Sequence, residues 1–175
     1  AEAIHTMGGA IDLLVLNAGM VAGNTLRRTA AEIEVTFSSS LVGHHRLTMR
    51  LLETGGLSPQ ADIVIAGSEA ARGDMPTMNV TDLGDLAERG FEGDLSAAAE
   101  ALIRQNGPVQ YKPSNAYADA KVFVAWWAAS LARRLPAGMT VNAVSPGSAP
   151  GTDAARNAEG FLKYVMLPVF KLAPK

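Results

Sequence analysis

At 175 residues, 48% apolar and 18% charged, the chain is long enough for one globular domain with a buried core; this excludes a disordered or collagen-like protein. A formal net charge of −2 leaves no basic field for gripping nucleic acid, so no nucleic-acid partner is expected. The absence of cysteine removes thiolate zinc sites and disulfides and fits a reducing, cytoplasmic setting.

In chain order, Ile11-Asp12-Leu13-Leu14-Val15-Leu16 is a short apolar run closed by the turn signal Asn17-Ala18-Gly19, and it predicts a strand. No targeting segment stands out, because the first basic residue is Arg27 and Asp12 and Asn17 interrupt the early apolar stretch. The chain starts with alanine, and its beginning is expected to be missing. From about Thr29 to Glu53, apolar residues at Ile33, Phe37, Leu41, Leu47 and Leu51 recur near the helical period and predict a half-buried helix ended by Gly55-Gly56. Ile63-Val64-Ile65-Ala66 predicts a second strand, closed by Gly67-Ser68.

Between Asp74 and Glu100 seven acidic residues stand against one basic residue, Arg89, which predicts a negatively charged surface segment. Its later part, Ser96 to Arg104, reads as a short helix. A stronger helix is expected from an N-cap at Ser114 or Asn115 to about Leu135. Thr140 to Val144 predicts a third strand, ended by Ser145-Pro146-Gly147. The late apolar run from Phe161 to Leu172 contains Lys163 and Pro168 and is too short to span a bilayer. It reads as a flap or a core segment, and no membrane contact is expected.

Apolar strands separated by helices predict an α/β fold, a parallel sheet covered on both faces, with right-handed crossovers. Residues 1–175 read as a single domain without a repeat or linker. Ligands of such sheets bind outside the carboxyl ends of the strands. Asn17, Ser68 and Pro146-Gly147 each follow a strand, so all are expected on one rim.

Tyr117 and Lys121 are four residues apart on the last helix, which places them on one face. A neighbouring ammonium favours the phenolate, so the pair could exchange a proton with an alcohol or alkoxide; the alternative is a solvated surface pair. Ser68 could hydrogen-bond a substrate carbonyl or simply cap the turn that follows. Asn17 and Pro146-Gly147 could present polar groups and bare backbone to a ligand, or merely end their strands. His44 and His45 point about 100° apart on a helix and cannot chelate one ion together. Asn79-Val80-Thr81 fits a glycosylation pattern, although nothing in the chain indicates secretion. Phe123, Trp126 and Trp127 share the Tyr117 helix, where an exposed tryptophan would suit a subunit contact.

In this order the motifs resemble those of the short-chain dehydrogenase/reductase family over nearly the whole chain. Asp12 to Gly19 is similar to the family's fourth strand with its Asn-Ala-Gly turn, and Ile63 to Ser68 to the fifth strand with its serine. Tyr117 and Lys121 match Tyr-x-x-x-Lys, and Val141 to Gly147 resembles the sixth strand and its Pro-Gly turn. The wording around Tyr117 and the long Ser68–Tyr117 spacing are reminiscent of retinol-dehydrogenase-like members.

The resemblance implies an incomplete Rossmann-type, doubly wound parallel sheet and an oxidoreductase that uses NAD or NADP on a small or apolar alcohol or carbonyl. It implies Tyr117 as general acid/base, Lys121 as its electrostatic partner and ribose ligand, and Ser68 as the group polarising the carbonyl. Asn17, Ala18 and Gly19 would lie near the adenosine side, Pro146 and Gly147 near the carboxamide, and Thr152 on the cofactor amide. A homo-oligomer paired through the helices at about 29–53 and 115–135 is also implied.

Three departures accompany the resemblance. The glycine-rich turn Thr-Gly-x-x-x-Gly-x-Gly, which seats a pyrophosphate on a helix N-terminus, is absent from the sequence. In the family it lies well upstream of the Asn-Ala-Gly strand, so the chain reads as the middle of a dehydrogenase. Ser40 stands where the family often has an asparagine that holds a relay water, and serine lacks the amide's reach. The acidic segment at about 74–111 reads as an insertion beside the site. The alternative is a non-catalytic fragment or pseudoenzyme that keeps the scaffold as an interaction module.

Overall fold

Three strands build one sheet, β1 (Ile11–Leu16), β2 (Leu57–Ala66) and β3 (Thr140–Val144), parallel and in the order β1-β2-β3. The computed structural model describes residues 8–147; Thr152 and the run from Phe161 to Leu172 lie outside them. β1 and β3 have the expected bounds. β2 starts at Leu57 and not at Ile63, because its lead-in contains Ser58, Pro59 and Gln60 and pairs irregularly with β1, a setting that tolerates proline.

The first helix, α1 (residues 35–53), comprises Val35–Phe37, one wide π turn at Ser38–Val42, and Gly43–Glu53. It begins later than Thr29 because the buried Glu34 side chain caps it, accepting from Thr36 N at 2.8 Å and Phe37 N at 3.1 Å. Residues 29–34 instead form a tight loop closed by an Arg28–Glu34 bridge and a Thr29 N–H to Ile33 carbonyl bond.

A short 3-10 turn (Glu69–Arg72) leaves β2. The acidic segment then folds into α2 (Leu83–Gly90) and α3 (Leu95–Arg104). Its carboxylates serve as caps: Asp82 accepts from Asp85 N at 3.0 Å, and Asp94 accepts from Ser96 N at 2.8 Å and Ala97 N at 3.0 Å. At the other end of α3, Arg28 donates to the carbonyls of Arg104 (2.7 Å) and Gln105 (2.9 Å), a cation where the helix dipole favours one.

The last helix, α4 (Pro113–Ala132), starts with proline in its first turn, where a missing N–H costs nothing. Ser114 and Asn115 lie inside it, and the N-cap position is Lys112. Asn115 turns outward to accept from Asn79 N at 3.2 Å.

Leu14, Leu16, Ile63 and Ile65 project from one face of the sheet onto Leu51 of α1 and Val124, Ala128 and Leu131 of α4, forming the main core. A second cluster seats Phe37 and Phe123 edge to face at 5.6 Å, with Leu102 of α3 beside them. Among the described residues the opposite sheet face stays open: Leu13 is 58% and Val15 57% exposed. Among the described residues, helical cover is therefore present on one of the two expected faces.

Candidate active site

The three strands deliver their ends to one rim, as expected for this topology. Leu16 pairs with Ile65 and Ala66 with Val144, so Asn17, Gly67-Ser68 and Ser145-Pro146-Gly147 all leave the sheet at the same edge. Gly67 N–H donates to the Val144 carbonyl at 2.7 Å, and a Cβ there would sit 3.2 Å from that oxygen. Glycine is what lets the two backbones stay this close.

Ser68 is extended (φ −167°, ψ 146°) and begins the 3-10 turn; its Oγ accepts from Ala70 N at 3.2 Å. The bond occupies one lone pair and leaves the hydroxyl proton free to donate. Capping and substrate binding are thus compatible in one side chain.

On α4, Lys121 Nζ lies 5.6 Å from the centroid of the Tyr117 ring and donates to the Ala66 carbonyl at 2.7 Å. Lys121 is only 4% exposed, and none of the described ion pairs includes it. Burial therefore brings its ammonium down to about 8. Tyr117 is half-buried against Ala70, Met78 and Ala118, which ties it to the turn that Ser68 begins.

Ser40 sits in the π turn of α1, fully buried, with no hydrogen-bond partner for its hydroxyl. A Cβ on Gly19 would lie 3.2 Å from Ser40 Oγ and 3.7 Å from Lys121 Nζ. The glycine of the Asn-Ala-Gly turn thus leaves open a gap between hydroxyl and ammonium. Asn17, Ala18, Pro146 and Gly147 are exposed on the rim, with Gly147 in the left-handed region at φ 69°.

Several residues at this site were not anticipated. Asp119, between Tyr117 and Lys121 in sequence, is 2% exposed and accepts from Thr81 N at 2.7 Å and Thr81 Oγ1 at 2.9 Å. Burial raises its carboxyl above the usual range, and the two Thr81 bonds pull it back down. Its sequence signal is the run of alanines at 116, 118 and 120, which leaves that stretch of helix without a solvated face. Tyr111 donates to the Gly23 carbonyl at 2.9 Å, its phenol pushed up to about 12 by burial and the Glu34 charge. With Arg28, it fastens the loop after Asn17 to the acidic segment. An open groove of about 630 Å³ lined by Thr81, Asp85, Leu86, Arg89 and Pro108 lies on that segment, and neither Tyr117 nor Lys121 lines it.

The rim fits the nicotinamide–ribose end of a dinucleotide: a buried ammonium, a phenol on the same helix face and exposed backbone at Pro146-Gly147. For the pyrophosphate end the sequence offers no glycine-rich turn. Among the described residues no cluster of His, Asp or Glu could hold a metal ion.

A single parallel sheet with flanking helices, carrying the Tyr117–Lys121 pair at its carboxyl rim, is a Rossmann-like α/β arrangement. No family model matches the sequence, and no curated protein matches it. Among solved structures, the chain is similar to the 3-alpha-hydroxysteroid dehydrogenase from Pseudomonas sp. B-0831 in complex with NADH. The identity is 26% and the TM-score 0.52, over 84% of this chain and 52% of that one. The chain spans about half the length of that neighbour, itself a short-chain dehydrogenase/reductase. This chain is short-chain dehydrogenase/reductase-like.

Proposed function

We propose that this chain belongs to an NAD(P)-dependent oxidoreductase that interconverts an alcohol and a carbonyl on a small or apolar substrate. The observation that carries the reading is Lys121, an ammonium held in the protein interior without a carboxylate, one helical turn from Tyr117. Burying such a charge is unfavourable for stability alone. Beside a phenol it has a chemical use, because it favours the phenolate and so tunes an acid/base. The NADH held by the similar dehydrogenase supports a nicotinamide cofactor and makes NAD the first to test.

A bound nicotinamide would supply the hydride chemistry. The protein's share is binding and proton transfer. Ser68, with one lone pair committed to Ala70, donates its hydroxyl proton to the substrate oxygen. Tyr117 gives that oxygen a proton in reduction and takes one in oxidation. Lys121 lowers the energy of the phenolate and binds ribose hydroxyls. Asn17, Ala18 and Gly19 would hold the adenosine side and Pro146 and Gly147 the carboxamide side; Thr152, read from the sequence as the amide contact, lies outside the described residues. A cytoplasmic setting belongs to the same reading. So does pairing of two copies through residues 29–53 and 115–135, supported by Trp126, which is 50% exposed beside Phe123.

Tyr117→Phe tests the reading: turnover of alcohols with NAD or NADP is lost while NADH binding, followed by its fluorescence, is retained. Turnover at the parent rate would overturn the assignment. Ser40, standing where the resembled family often has an asparagine, favours a second reading, a scaffold without activity, which requires that the protein neither bind NADH nor oxidise any alcohol.

A further inference from the structure

We propose that Asp119 is a positioning residue for Tyr117: together with Asn115 it latches residues 79–81 onto α4, and the latched chain holds an apolar strap, Met75 to Val80, against the Tyr117 ring. The proposal rests on the dehydrogenase reading, which gives that ring its chemistry. Asn115 Oδ1 accepts from Asn79 N at 3.2 Å and Asp119 Oδ1 from Thr81 N at 2.7 Å, while Asp119 Oδ2 takes the Thr81 hydroxyl at 2.9 Å. The spacings agree. Four residues of helix rise about 6 Å, and two residues of extended chain cover about 6.6 Å. Alternate N–H groups of the strap therefore meet side-chain oxygens one turn apart on one face of α4.

Between the two anchors lies Val80, which packs with Met75, Met78, Ala70 and Ala118 around Tyr117. Met78 N–H donates to the Met75 carbonyl at 3.2 Å and folds the near end of the strap into a turn. Val80 also reaches the 3-10 turn that Ser68 begins. A Cβ on Gly73, the left-handed residue closing that turn, would lie 3.3 Å from Val80 Cγ2. Ala118, fully buried beside Met78, adds only a methyl to α4 there, so the strap lies close to the helix. One segment thus packs against both the Tyr117 ring and the turn that Ser68 begins, and Asp119 holds its far end.

Asp119 itself stands away from the reacting atoms. It follows Tyr117 by two residues, about 200° of helix rotation, whereas Lys121 is only about 40° round from it. Asn115 and Asp119 accordingly line a groove of about 210 Å³ with Thr81 and Leu86, and neither Tyr117 nor Lys121 lines it. None of the described ion pairs includes Asp119, and its hydrogen bonds both come from Thr81. Its action on Tyr117 therefore passes through the strap. With the latch closed, Met78 and Val80 confine the ring beside Lys121. With it open, the ring gains freedom that proton transfer over a hydrogen-bond distance does not tolerate.

The first test needs no cofactor. The Tyr117 ring signals, assigned by their loss in Tyr117→Phe, are followed by NMR in Asp119→Ala, Asp119→Asn and Thr81→Val. Thr81→Val removes only the hydroxyl bond, so it reports on the latch even where Asp119→Ala does not fold. The expected result is a ring signal displaced in Asp119→Ala, displaced less in Thr81→Val and restored in Asp119→Asn, which keeps both bonds. A ring signal unmoved in Thr81→Val overturns the latch. In turnover, Asp119→Ala should lower kcat between about 10- and 100-fold with the KM for NAD unchanged, and Asp119→Asn should recover most of it. An equal loss in Asp119→Asn, or an unchanged kcat in Asp119→Ala, also overturns it. The two failures are distinguishable: an active Tyr117→Phe removes the dehydrogenase reading but leaves the response of the ring to the latch measurable.

Discussion

Lys121 Nζ donates a 2.7 Å hydrogen bond to the carbonyl of Ala66, the last residue of β2, which itself pairs with Val144 of β3. One side chain thereby registers helix α4 against two strand ends, two residues before Ser68. It also fixes the ammonium from a backbone atom, and none of the described ion pairs adds a carboxylate to it.

This arrangement should make Lys121 a destabilising residue at neutral pH. Its folded value, about 8, lies below the usual 10.5. Above 10.5 the amine is neutral in both states. As pH falls from there to 8, the unfolded chain takes up a proton that the folded chain does not, and stability declines; below 8 the deficit is constant. At pH 7 Lys121→Met should therefore gain on the order of 3 kcal/mol, offset by about 1 kcal/mol for the lost bond to Ala66. Urea unfolding at pH 7 and pH 10 checks this. The gain shrinks at the higher pH, while turnover is lost at both.

Ser68 separates by the choice of substitute. Ser68→Ala loses both the cap and the donor, at about 1 kcal/mol of stability. Ser68→Asp keeps an acceptor for Ala70 N but has no proton to give. Both variants should lose roughly 10²- to 10³-fold in kcat, while thermal unfolding places Asp near the parent and Ala below it.

Asp119 predicts a local effect. Asp119→Asn can still accept from Thr81 N and donate to its hydroxyl, so it should leave stability almost unchanged. Asp119→Ala strands two Thr81 donors and should cost about 2–4 kcal/mol. Hydrogen exchange should then speed up at residues 79–82 more than at β1 or β2.

Glu34 gives a prediction in pH. Burial raises its carboxyl from the usual 4.5 despite the bonds from Thr36 and Phe37. A raised carboxyl contributes most when protonated, below 4.5, and that contribution is lost as pH rises through the folded value. Glu34→Gln keeps an acceptor for the cap and carries no charge. Its stability relative to the parent should increase with pH from about 4.5 upward. A difference flat in pH, measured by thermal unfolding, would contradict this.

The strands β1 and β3 were legible because an unbroken apolar run between turn residues is a local signal. The caps were not. Glu34 is a poor N-cap by residue type, and Asp82 and Asp94 were indistinguishable from the other charges of an acidic segment until the chain showed which of them precede a helix. The order Gly19, Ser68, Tyr117, Lys121 and Pro146 was readable, but the meeting of Gly19, Ser40 and Lys121 was not, since it depends on how α1 and α4 cross the same sheet face. The 100° separation of His44 and His45 was predictable from helix geometry; which of the two faces inward follows only from the packing. Apolar strand runs also implied cover on both faces, a statement that Leu13 and Val15 qualify.

The π turn at Ser38–Val42 amounts to one extra residue accommodated inside a helix. Deleting a residue from 38–42 would restore regular i to i−4 pairing and rotate one half of α1 against the other by about 100°. The Glu34 cap and Phe37 would then be out of phase with Leu51 and the main core. A helix one residue shorter would have to abandon either that cap or the Ser40–His44–Thr48 alignment, so the length of this helix is set by what it buries at both ends.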